Sequence, residues 1–71
     1  MSWQATIETL GYAAAHDLRV RVVRDDGAEV LGTPTSVDVH PTANEVYLRP
    51  LGQDDGEIAL SLARVTRVEL L

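Results

Sequence analysis

The chain has 71 residues and a formal charge of −5, with eleven acidic side chains against six arginines and neither lysine nor cysteine. That composition leaves no disulfide or thiolate site to supplement a small core, and it argues against non-specific nucleic-acid binding, which draws on a basic field. No apolar run reaches the ~18 residues of a membrane span, and no basic flank leads into an apolar stretch at the start, so a cytoplasmic protein without a membrane partner is expected.

The length corresponds to one domain, residues 1–71, and such a domain buries only about 60% of the surface its unfolded chain exposes. With no phenylalanine, one tryptophan and two tyrosines, its core must be aliphatic. Ser2 is placed to cap a helix starting near Trp3. Trp3, Ile7, Leu10 and Ala14 fall on one helical stripe, and the helix is expected to end by His16-Asp17. Gly11 weakens its interior, so the helix needs tertiary support.

Leu18 to Arg24 alternates as a strand, with Leu18, Val20 and Val22 on one face and Arg19, Arg21 and Val23 on the other. Asp25-Asp26-Gly27 then signals a hairpin. The next strand runs from Ala28 towards Val39. Val30 stands on even parity and Val37 and Val39 on odd, so a bend or bulge between Leu31 and Val37 is required, where Gly32 and Pro34 interrupt the strand. His40 to Asn44 is a turn-rich connection. Glu45 to Pro50 forms the third strand, with Val46 and Leu48 facing inward and Glu45, Tyr47 and Arg49 outward. Leu51 to Gly56 is a loop.

At the end of the chain Ile58, Leu60 and Leu62 alternate, the pattern slips across Ala63-Arg64-Val65, and it resumes at Val68 and Leu70. Strand, one tight turn, strand is the expected reading. The fold class is therefore mainly β: an N-terminal α-helix followed by five antiparallel, strongly bent strands. In a meander, alternate turns share an end. The Asp25–Gly27 turn and the Leu51–Gly56 loop are thus expected at one pole. His16-Asp17, the His40–Asn44 loop and the Ala63–Val65 turn are expected at the other.

Three groups of residues could carry chemistry. His16, His40 and Asp17 have the types of a two-histidine, one-carboxylate metal site, but their spacing matches no ligand motif and solvated turn residues are the favoured reading. Asp25, Asp26, Asp54, Asp55 and Glu57 collect at the first pole. They lack the spacing of a calcium loop, and turn chemistry explains the aspartates, but the same acids can dock a protein partner with a basic surface. Arg19, Arg21, Tyr47 and Arg49 share the outward sheet face, where arginine and an aromatic can hold phosphates and stack bases; solubility is the favoured reading of that face. No nucleophile–base arrangement, glycine-rich phosphate loop or cofactor motif is present, so neither catalysis nor a cofactor is expected.

A helix, five bent strands and a one-turn link before the last strand resemble the SH3-like small barrels of the Sm type. The run from Glu8 to Val68 resembles the Rho-binding antiterminator (Rof) family, through the helix ahead of an alternating strand, Asp25-Asp26-Gly27-Ala28-Glu29-Val30, Val46-Tyr47-Leu48, and Glu57-Ile58-Ala59-Leu60-Ser61-Leu62-Ala63-Arg64-Val65. It is also similar to the core barrel of WYL domains, with Val46-Tyr47-Leu48 at the name-giving tripeptide. These resemblances imply a closed small barrel and a non-catalytic protein-interaction module acting on the transcription machinery. A nucleic-acid-binding module and a unit that self-assembles through its sheet edges, near Leu70-Leu71, are the alternatives.

Overall fold

The computed structural model describes residues 3–40, 44–52 and 56–71. Helix α1 spans Trp3–His16. Its inward face carries Thr6, Leu10 and Ala13, all buried, with Ile7 and Ala14 half-buried. The stripe thus runs one position off the expected one at its end, with Ala13 in place of Ala14. Three successive alanines left that choice to the packing. Asp17 ends the helix in the left-handed region at φ 56. The Leu18 N–H donates back to the Ala13 carbonyl at 2.9 Å. This is the six-to-one closure that usually takes glycine, and aspartate tolerates the geometry better than most residues.

Strand β1 (Val20–Arg24) pairs antiparallel with β2 (Glu29–Val39) through Val22↔Val30 and Val20↔Gly32. The Arg24–Gly27 turn between them closes with the Gly27 N–H on the Arg24 carbonyl at 3.0 Å. Gly27 sits at φ 86, where a side chain would be strained. Strand β2 pairs with β3 (Asn44–Pro50), and their register shifts between Pro34 and Ser36. Thr35 is the extra residue, and this bulge resolves the parity conflict between Val30 and Val37. Strand β4 (Ile58–Ser61) pairs with β3 through Val46↔Leu60 and Leu48↔Ile58.

A 3₁₀ turn, Leu62–Arg64, leads into β5 (Val65–Leu70), which pairs with β1 through Val22↔Val68 and Val20↔Leu70. The sheet order is therefore β4-β3-β2-β1-β5, and every ladder is antiparallel. This overturns one expectation. The Ala63–Val65 turn lies beside the Asp25 turn, with the Asp25 N–H on the Arg64 carbonyl at 2.8 Å. Because β5 runs antiparallel to β1, it must start where β1 ends. The barrel is also open: among the described residues no ladder joins β4 to β5, and the sheet is bent without closing.

The core consists of Leu10, Ala13, Val20, Val22, Val46, Leu48, Leu62 and Val68, with Ile7, Leu18, Val30, Val37, Ile58, Leu60 and Val65 packed around it. Ile7, Leu10, Val20, Val22, Val30, Val46, Leu48, Ile58, Leu60, Leu62 and Val68 are buried or half-buried as expected, whereas Val39 and Leu70, on the same alternating faces, are exposed at the strand ends. Leu60 keeps partial solvent contact, so its truncation costs less than that of an enclosed leucine.

Candidate binding surfaces

At the Asp25-Asp26 turn each acid already has partners. Asp25 Oδ1 accepts from Arg64 Nε at 3.4 Å. Asp26 Oδ2 lies 3.7 Å from Arg24 Nη2, and its Oδ1 accepts the Ala28 N–H at 2.9 Å. That backbone hydrogen bond, helped by Arg24 and Arg64, holds the Asp26 carboxyl below its ordinary value. A group depressed in this way adds stability above its unfolded-state value and loses it as pH falls through the folded one. Asp26→Ala is therefore expected to lower the thermal midpoint at neutral pH, and the gap to wild type should close on acidification below that value. Asp26→Asn keeps an acceptor for Ala28 and should behave closer to wild type. A gap that persists unchanged into strong acid would refute this role.

Glu57 is exposed and its carboxylate reaches the bulge residue of β2. The Thr35 hydroxyl lies 3.2 Å from both Glu57 Oε2 and the Tyr47 carbonyl, and its proton can serve either. Asp54 and Asp55 lie outside the described residues. The two histidines make separate contacts. His16 stacks on Tyr12 with ring centroids 4.4 Å apart, and His40 Nε2 is 3.0 Å from Asp38 Oδ1. Among the described residues no group of three or more acidic, histidine or cysteine side chains is placed to hold a metal ion.

On the outward face, Arg21 sits opposite Glu69 in register and contacts Glu29 at 3.2 Å and Glu69 at 3.6 Å. Glu69 also holds Arg67 at 2.7 Å. These two arginines and two glutamates form a chain of alternating charge across β2, β1 and β5. Such exposed pairs add little stability, but they cancel Arg21 as a free cation. Arg19 and Arg49 are exposed and pair with no acid among the described residues. Tyr47 is half-buried between Ser36 and Ala59 in register.

The residues missed by the sequence reading are Asp38 and Glu45. They stand directly opposite one another on β2 and β3, on the outward face, since Val37 and Val46 beside them turn inward. Neither carboxylate meets an arginine among the described residues. His40 is the neighbour of Asp38, and that contact is an ion pair only with a protonated imidazole. The His40 N–H donates to Asn44 Oδ1 at 2.9 Å, which holds the two strand ends together. Their symmetric placement about the His40–Asn44 connection was the available signal.

No family model, curated protein or solved structure matches this chain.

Proposed function

We propose that the protein is a non-catalytic interaction module whose partner presents arginine or lysine side chains to the Asp38–Glu45 end of the β2–β3 pair. One observation carries this reading. Like charges directly opposite each other in a sheet are destabilising, and the chain pairs its other strand acids, Glu29 and Glu69, with arginines. Asp38 and Glu45 are left facing each other, and a basic partner supplies the missing cation. The acids of the Asp25-Asp26 turn, which the sequence alone favoured, are already engaged by Arg64 and Arg24. The resemblance to the Rof family directs the search for that partner to the transcription machinery.

The test compares Asp38→Asn/Glu45→Gln with Asp25→Asn/Asp26→Asn. The first pair of changes should leave the fold as stable or more so, by roughly 0.2–1 kcal/mol for one relieved cross-strand repulsion. A partner identified with the wild-type protein should nevertheless bind that variant weakly and lose its salt dependence, because complementary charge steers association. The second variant should bind it nearly normally. Equal binding by wild type and Asp38→Asn/Glu45→Gln would overturn the reading.

A second reading, self-association, rests on the open sheet. Among the described residues, strands β4 and β5 each have an unpaired edge, and Leu70 and Leu71 are 49% and 58% exposed beside one of them. Mass measurement in solution separates the two: a concentration-independent monomer removes self-association.

A further inference from the structure

Arg19, Thr33 and Arg49 fall in one row on the outward face. Arg49 is opposite Thr33 in the β2–β3 register. Val20 is opposite Gly32, the last pair of the β1–β2 ladder, and continuing that register by one residue sets Arg19 beside Thr33 on its other side. All three alternate with inward neighbours, namely Val20, Gly32, Pro34 and Leu48, each of them buried. The two arginine backbones are thus two strand spacings apart, about 10 Å. Both side chains are long enough to fold over the hydroxyl between them.

The charges around this row make it unusual for the chain. Arg21, Arg24, Arg64 and Arg67 each have an acid within 3.7 Å. Arg19 and Arg49 have none among the described residues, although acids outnumber arginines eleven to six. Glu57, one residue before Ile58 and so next to Arg49 in register, has its carboxylate 3.2 Å from the Thr35 hydroxyl. In the neighbouring row Arg21 stands opposite Glu69, and its guanidinium is taken up by Glu69 and by Glu29 of the row beyond.

From this placement we infer that Arg19, Thr33 and Arg49 form a site for a phosphate monoester, the two guanidinium groups sharing one dianion and the Thr33 hydroxyl donating between them. Phosphate suits the row better than carboxylate. A phosphate dianion brings two negative charges for the two guanidinium groups and enough oxygens for two planar donor forks and a hydroxyl, whereas a carboxylate brings one charge and two oxygens. This site is independent of the Asp38–Glu45 end and can stand or fall without it.

Inorganic phosphate is the first probe, titrated against the isotope-labelled protein at constant ionic strength and followed by amide and arginine Nε signals. Saturable shifts are expected at Arg19, Thr33 and Arg49, with Arg67 unmoved. Arg19→Gln and Arg49→Gln should each weaken binding roughly tenfold, the loss of a charge-assisted hydrogen bond. Arg67→Gln should leave it unchanged. Uridine monophosphate and O-phosphoserine then distinguish the source: surplus affinity for the nucleotide that Tyr47→Ala removes assigns a nucleotide, and equal or better binding of phosphoserine assigns a phosphorylated side chain. Shifts spread over all six arginines without saturation, or an Arg19→Gln/Arg49→Gln variant that titrates like wild type, would overturn the site. Because both arginines are exposed, an unchanged amide spectrum elsewhere confirms that these variants fold.

Discussion

Gly32→Ala is expected to destabilise the domain by about 1–3 kcal/mol, the cost of forcing an extra methyl group into a packed interior. A Cβ on Gly32 would lie 2.6 Å from the Arg49 carbonyl oxygen, 3.1 Å from its carbon and 3.2 Å from Pro50 Cα. These are backbone atoms, so no rotamer change relieves the clash, and β2 and β3 must separate. Gly32 is also paired on both sides, with Val20 and with Pro50, so the displacement reaches β1. Gly11→Ala gives the opposite control. Nothing lies within 4 Å of a Cβ there, and replacing an exposed helical glycine should stabilise by up to about 1 kcal/mol. Denaturant midpoints check both. Two midpoints moving in the same direction would contradict the assignment of either glycine.

Leu62→Ala carries the larger expected effect, about 2–5 kcal/mol for an enclosed leucine. Leu62 is 0% exposed although it belongs to the three-residue 3₁₀ turn between β4 and β5. It anchors the link against the core while Arg64, two residues on, is exposed and meets Asp25. A protein of this length has about 4–11 kcal/mol of stability in total, at 0.05–0.15 per residue. The variant should therefore lose a large part of its cooperative unfolding transition at 37 °C. Leu60→Ala, half-exposed on β4, should cost clearly less. A Leu62→Ala midpoint above that of Leu60→Ala would show that the turn is not anchored by this side chain.

The elements were legible where the chain contradicts itself locally. Val30 and Val37 cannot face one core on an unbroken strand, so a bulge had to fall between Leu31 and Val37, and it falls at Thr35. The slip across Ala63–Val65 demanded a tight turn for the same reason, and Asp26-Gly27 marked the first hairpin by its backbone chemistry. What could not be read was neighbourhood. Alternation tells which way Val68 points but not that it lies against Val22, because periodicity describes one strand at a time. The turn at Ala63–Val65 was accordingly assigned to the wrong end of the sheet. The surfaces suffered likewise. Arg21 looks free in the sequence, and only the register that brings Glu29 and Glu69 to it shows otherwise. Asp38 and Glu45 look unremarkable until the register sets them face to face. Faces are encoded within elements, whereas charge pairing depends on contacts between them.

The pairing of β5 with β1 has a kinetic consequence. The hairpins β1–β2, β2–β3 and β3–β4 each join neighbours in the chain, and they can form by closing short loops. The last ladder joins Val20 to Leu70 and Arg24 to Val65, so three strands and the turns between them must be looped out to make it. Loop entropy grows slowly with length, but contacts of this separation still dominate the folding rate of small β proteins. Until β5 arrives, β1 is the bare edge of a four-stranded sheet whose N–H and C=O groups are free to pair with another molecule. During synthesis, when the other strands have emerged first, that interval is when the chain is most exposed to intermolecular pairing.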